Sequence, residues 1–178
     1  AGMPEFRDVS LSFDGRVILD RFQFSLAEKT RTAILGTSGS GKTTVLRLAS
    51  GLQKPDSGTV ESFSGKPSFL FQDDRLLPWS SALENLTALG IPPERAKEYL
   101  AKVWLAGEEE KLPEELSGWM KRRLAIARCF AHGGDVFYLD EPLQGLDIKT
   151  AGDVLAFMAG ELRGKSVLMI THNPEEAL

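Results

Sequence analysis

A single cysteine, Cys129, stands in the 178 residues, so no intrachain disulfide can form, which fits a reducing compartment. Long apolar runs are missing as well; none approaches the ~20 residues that a membrane-spanning helix needs. Basic residues do not predominate. Lys and Arg number 21 against 25 Asp and Glu, a net charge of −4, and the pI is about 5.3. A nucleic-acid footprint is normally basic, so no nucleic-acid partner is expected. No internal repeat, low-complexity stretch or secretory leader is read, and Ala1-Gly2 ahead of Met3 reads as an expression scar. The expectation is a soluble, cytoplasmic-type protein with one domain over 3–178.

What is present is an ordinary globular composition, 42% hydrophobic and 26% charged. The first 35 residues read as strands. Phe22, Phe24 and Leu26 alternate with polar residues, and Asp14-Gly15 between apolar segments is a hairpin signal. Continuous apolar runs then appear far apart at 32–35, 136–139 and 166–170, the pattern of strands covered on both faces in a parallel sheet.

Helical patterns lie between them. Val45, Leu46, Leu48 and Ala49 end at Gly51; Ala96, Tyr99, Leu100, Val103 and Trp104 predict a helix over 94–106 that stops at Gly107. Met120, Leu124, Ala127 and Ala131 form a stripe on what reads as a basic amphipathic helix after Ser117. Ile148, Ala151, Leu155, Met158 and Leu162 form another, with Asp147 as its cap. Ser81 to Glu84 is a capping-box pattern. The class is α/β, with an antiparallel N-terminal sheet and a small helical subdomain at about 75–132.

Each buried run is followed by chemistry. After the first comes Gly36-Thr37-Ser38-Gly39-Ser40-Gly41-Lys42-Thr43, a full G-x-x-x-x-G-K-[ST] match. Its glycines let backbone N–H groups wrap phosphates, Lys42 neutralises the β/γ oxygens, and the Thr43 hydroxyl can ligate Mg²⁺. With glycine near 7% of residues, a chance match is expected well under ~5% of the time. After the second run come Asp140, which can hold Mg²⁺ through water, and Glu141, which can act as general base on an attacking water. After the third comes His172, within reach of a γ-phosphate. In open α/β sheets ligands bind beyond the carboxyl ends of the strands, so the three placements point to one site.

In order along the chain, Phe13, the phosphate loop at 36–43, Gln72, Leu116-Ser117-Gly118, Val136–Glu141, Gly145-Leu146-Asp147 and His172 resemble the motifs of an ATP-binding cassette (ABC) ATPase, the nucleotide-driven subunit of ABC transporters. The segment from Phe71 to Trp79 further resembles importers of the nitrate/sulfonate/taurine type. The resemblance implies a P-loop NTPase core with a mainly parallel sheet, ATP and Mg²⁺ as cofactors, and a peripheral position on the cytoplasmic face of the cell membrane. It implies adenine stacking on Phe13, nucleotide contacts from the phosphate loop through Thr44, and Gln72 near the metal and the attacking water. It implies as partners integral membrane subunits and a second ATPase subunit packed head to tail. Ser117, Gly118 and Asp147 then serve the nucleotide held by that second subunit, through a helix N-terminus acting as an anion site. Residues Leu76 to Trp79 would receive a helix from a membrane subunit, against the alternative that they pack the helical lobe's own core.

The sequence departs from the family in Trp119-Met120, where the signature has Gly-Gln, in Asn173 after the histidine, and in Phe13 for Tyr. Two rivals follow: a degenerate subunit that binds ATP with little hydrolysis, favoured by Trp119, and another P-loop enzyme such as a GTPase or kinase. The second lacks an Asn-Lys-x-Asp guanine motif.

Overall fold

Alternation at the start of the chain becomes an antiparallel sheet. Residues 5–13, 16–25, 31–35, 42–61 and 65–171 are described by the computed structural model. In chain order the elements are β1 (Glu5–Phe13), β2 (Arg16–Ser25), β3 (Arg31–Leu35), α1 (Lys42–Ala49), β4 (Ser57–Glu61) and β5 (Pro67–Leu70). Then come α2 (Ala82–Thr87), α3 (Pro93–Lys102), α4 (Gly118–His132), β6 (Val136–Asp140), α5 (Ile148–Glu161) and β7 (Ser166–Thr171). They fall into two units, one of Ala1–Pro67, Asp135–Asp140 and Gly164–Leu178, the other of Ser68–Gly134 and Glu141–Arg163.

In the first unit the sheet order is β2-β1-β4. Phe13 pairs with Arg16; the hairpin signal expected at Asp14-Gly15 lies outside the described residues, as does Leu26. Strict alternation fails inside β1, where the buried residues are Phe6, Val9 and Leu11. The register shifts between Phe6 and Val9, and Asp8 there adopts φ 48°, so a bulge turns Val9 back to the buried side. Gly58 on β4 faces that bulge. A Cβ on it would sit 2.3 Å from the Asp8 carbonyl oxygen, and its φ of 85° suits glycine alone.

The three continuous apolar runs are β3, β6 and β7, side by side in the order β3-β7-β6 and parallel. Every residue of β6 and β7 is buried, as doubly covered strands require. At the N-terminal end of β6, Asp135 forms a clasp. Its N–H donates to the Lys66 carbonyl (2.8 Å), its carboxylate accepts from the Lys66 N–H (2.9 Å), and its carbonyl accepts from the Ser166 N–H (3.2 Å). Helix α1 packs on β6 and β7 through Val45, Leu46, Leu48 and Ala49.

In the second unit α2, α3 and α4 pack together over Leu86, Leu100, Leu124 and Ile126, each side chain contributing ~1.5–3 kcal/mol by its burial. Phe157 of α5 meets the rings of Tyr99 and Phe130 edge-on at 6.3 and 5.7 Å. The capping box stands as expected: Ser81 Oγ accepts from the Glu84 N–H (3.1 Å), and Glu84 Oε1 accepts from the Ser81 N–H (3.0 Å). Two helix readings need correction. The helix expected over 94–106 ends at Lys102, since Trp104 takes a left-handed φ of 61° and the Leu105 N–H turns back to the Leu100 carbonyl (2.8 Å). Val103 and Leu105 still reach the core, but Trp104 leaves it. On α5, Ile148 is 95% exposed; the inward face is Val154, Met158 and Leu162.

Candidate functional site

Parallel registry places the strand ends level. Leu35 pairs with Thr171 and Asp140 with Ile170, so the C-termini of β3, β7 and β6 share one edge of the sheet. The chain leaves that edge into the phosphate-loop sequence from β3, into Glu141 from β6 and toward His172 from β7. Asp140 is only 2% exposed there. Tyr138 Oη donates to the Ala49 carbonyl at the end of α1 (3.3 Å), tying that helix to β6. Burial pushes the Tyr138 phenol up to about 12, so it remains a donor.

Gly36, Thr37, Ser38, Gly39, Ser40, Gly41 and His172 lie outside the described residues. Phe13, Lys42 and Thr43 are placed by backbone alone: Phe13 ends β1, and Lys42 and Thr43 begin α1, with half-buried Thr44 next.

Within the second unit, Gln72 is exposed just beyond β5. Ser117 caps α4, its Oγ accepting from the Met120 N–H (3.3 Å), and remains exposed with Gly118. A Cβ on Gly118 would meet nothing within 4 Å. Trp119 is 45% exposed. Asp147 caps α5, its carboxylate accepting from the Thr150 N–H (2.7 Å), a bond that holds it below the usual carboxylate range. Trp79 is 76% exposed, so it does not pack the lobe's own core. Asn85 anchors the segment before it: the Leu77 N–H donates to Asn85 Oδ1 (2.7 Å), and Asn85 Nδ2 donates to the carbonyls of Leu77, Ser80 and Ser81.

The reading of α4 as a basic amphipathic helix is overturned. Leu124, Ala125, Ile126, Ala127, Cys129, Phe130 and Ala131 are all buried, and the arginines turn inward to main-chain carbonyls. Arg123 donates to the carbonyls of Val103 (3.0 Å) and Trp104 (3.3 Å) past the end of α3; Arg128 donates to those of Asp74 and Arg75. Arg122, 3% exposed, donates from Nε to the Pro142 carbonyl (3.0 Å) and from Nη2 to that of Glu141 (2.6 Å). Its Nη1 reaches the carbonyls of Phe71 (2.7 Å) and Gln72 (3.4 Å) and the Asp74 carboxylate (3.0 Å). Sequence reasoning missed this residue. The signal was present: Arg122, Ala125, Ile126 and Cys129 form a second helical stripe, so α4 is apolar on two sides.

Glu141 is itself unusual, buried with φ 48°, a left-handed conformation that a non-glycine residue rarely adopts. Among the described residues no three His, Cys, Asp or Glu side chains gather as a metal cluster.

The model of the ABC transporter family matches residues 19–144. An aliphatic sulfonates import ATP-binding protein SsuB 1 from Rhodococcus jostii is 39% identical over 97% of this chain and 71% of its own length. One from Cupriavidus pinatubonensis is 38% identical over 93% of this chain and 59% of its own. Among solved structures, the ATP-binding cassette MJ0796, in a dimeric post-hydrolysis state bound to ADP and Pi, superposes with a TM-score of 0.88 at 27% identity, covering 98% of this chain and 90% of that one.

Proposed function

The chain belongs to the ABC transporter family, and we propose that it is the ATP-binding and ATP-hydrolysing subunit that powers movement of a substrate through partner membrane subunits. One observation supports this most: the level strand ends, from which the phosphate loop, the Asp140-Glu141 pair and His172 each follow directly. The names of the relatives extend the reading to import, of the aliphatic sulfonate kind. We read 3–178 as one ABC-type ATPase domain whose helical subdomain covers about 75–132. It sits against the cytoplasmic face of the membrane, and no helix among the described residues is long and apolar enough to cross one.

In this reading the N–H groups of 36–41 wrap the phosphates with Thr44, Lys42 neutralises their charge, and Phe13 stacks on adenine. Thr43, Gln72 and Asp140 would hold Mg²⁺. A hydroxyl, an amide and a single buried carboxylate fit an ion that relies on phosphates and water for its other ligands. When bound, Mg²⁺ neutralises charge that builds on the phosphate oxygens. Glu141 takes the proton of the attacking water, and Gln72 and His172 orient water and γ-phosphate. Ser117 and Gly118, exposed on the first turn of α4, present that helix N-terminus, with Asp147, to the nucleotide of a second copy packed head to tail. Leu76 to Trp79 receive a helix of a membrane subunit. Apart from Trp119 in the signature, nothing in the described residues or the relatives favours the low-turnover rival.

Phosphate release by the purified chain with Mg²⁺, measured with ATP and with GTP, tests the reading. Release from ATP is expected. Release from neither refutes the ATPase, and a preference for GTP points to another P-loop enzyme.

A further inference from the structure

We propose that Arg122 is a positioning residue that sets Glu141 and the segment bearing Gln72 relative to one another, acting through their main chains; this rests on the ATPase reading above. The residue is buried, and a buried guanidinium persists only where its charge and donors are matched. Arg122 meets that condition with the Asp74 carboxylate and four carbonyl oxygens. Those carbonyls belong to two chain segments, 71–72 and 141–142, and each segment carries one residue assigned to hydrolysis.

Strain gives the arrangement its purpose. Glu141 at φ 48° has a main-chain conformation that its side chain disfavours. Relaxation to a negative φ would swing its carbonyl away from Arg122 Nη2, so the 2.6 Å bond opposes that relaxation. The direction of the Glu141 carboxylate follows from the same backbone. A displacement of the Gln72 segment would carry the guanidinium with it and so reach Glu141. Lysine cannot replace this link, because it offers one nitrogen where the planar fork of arginine engages both segments with three.

The test uses the full chain carrying Arg122→Gln or Arg122→Lys, the latter retaining charge against Asp74 should the former not fold. In both, kcat for ATP is expected to fall at least about tenfold with KM within about twofold, the mark of a contribution to the chemical step. Hydrogen exchange gives a readout independent of turnover. The Gln144 N–H, bonded to the Glu141 carbonyl (3.2 Å), should exchange faster in the variants. In a Glu141→Gln background Arg122→Lys should lower the residual rate no further, whereas a merely structural role would add its loss. Unchanged kcat with unchanged Gln144 exchange in Arg122→Lys overturns the proposal, as does an additive loss. A wild-type chain without ATPase activity refutes the functional reading instead, and the exchange measurement then still decides whether Arg122 holds Glu141.

Discussion

The Ser68 hydroxyl donates to the Cys129 carbonyl oxygen at 2.8 Å and stands 3.4 Å from the thiol sulfur. Burial pushes the Cys129 thiol up to about 12, so roughly one in ten thousand is ionised at pH 8. Iodoacetamide should therefore leave the native protein unlabelled and modify Cys129 only once urea unfolds it; rapid native labelling would contradict this burial. Ser68→Ala should cost only about 1 kcal/mol in urea unfolding, because the same carbonyl also accepts from the Gly133 N–H.

Lys42→Ala and Glu141→Gln should separate binding from hydrolysis. Loss of one charge-assisted contact to phosphate should weaken ATP binding by about 10- to 150-fold in Lys42→Ala. Loss of a general base should lower turnover at least about a hundredfold in Glu141→Gln, with affinity nearly kept. Equal loss of affinity in both, by fluorescent-nucleotide titration, would show the Glu141 role to be misassigned.

How far these features were legible depends on the range of the interactions that make them. Ser81 and Glu84 lie three residues apart, so their reciprocal cap is written in adjacent sequence. The buried strands announce themselves because double coverage leaves little room for polar side chains in 136–139 or 167–170. The end of α3 was misjudged because Val103 and Leu105 are buried beyond the helix, and burial rather than helicity made the periodic pattern. Ile148 was misjudged for the converse reason: an apolar residue at the right spacing stands in the first turn, outside the packed face. Arg122 carries no local signal of its role beyond its place on a helical stripe, since its partners come from 71–74 and 141–142, far along the chain.

Trp79→Ser should change unfolding free energy by less than about 0.5 kcal/mol, since the side chain is exposed, while weakening sedimentation with membranes that contain the transport subunits. Asn85→Ala is the contrast. It removes the anchor of Leu77, Ser80 and Ser81 and should cost about 1–3 kcal/mol. Retained membrane binding in a folded Trp79→Ser chain would rule out this segment as the docking surface.

Trp119→Gly, placed in a Glu141→Gln background with saturating ATP and Mg²⁺, should tighten head-to-tail dimerisation at least about tenfold if one N–H to phosphate contact is gained. Sedimentation velocity provides the measurement. Equal dimerisation with and without the substitution would mean that the ring is accommodated where it stands.

Asp147→Asn keeps a capping side chain but removes its charge from the N-terminus of α5. The folded carboxyl titrates below its unfolded value, so its contribution is present above the ordinary carboxylate range and lost as pH falls through the folded value. Wild type should have the higher Tm at about pH 7, with the difference shrinking as pH falls below the ordinary carboxylate range. A difference independent of pH would exclude the charge as its source.

The clasp of Lys66, Asp135 and Ser166 bears on chemistry it never touches. A strand buried on both faces gains no preference for one alignment from its hydrophobicity, since a slip of one residue exchanges one apolar wall for another. Among the described residues, one contact that distinguishes the alignments of β6 and β7 is the polar anchor at their foot, where Asp135 binds Lys66 and Ser166 together. Five residues at about 3.3 Å each separate that anchor from Asp140, a lever of about 16 Å. Asp135 is thus the datum from which the height of Asp140 is measured, and an error there would be read out, undiminished, at the opposite edge of the sheet.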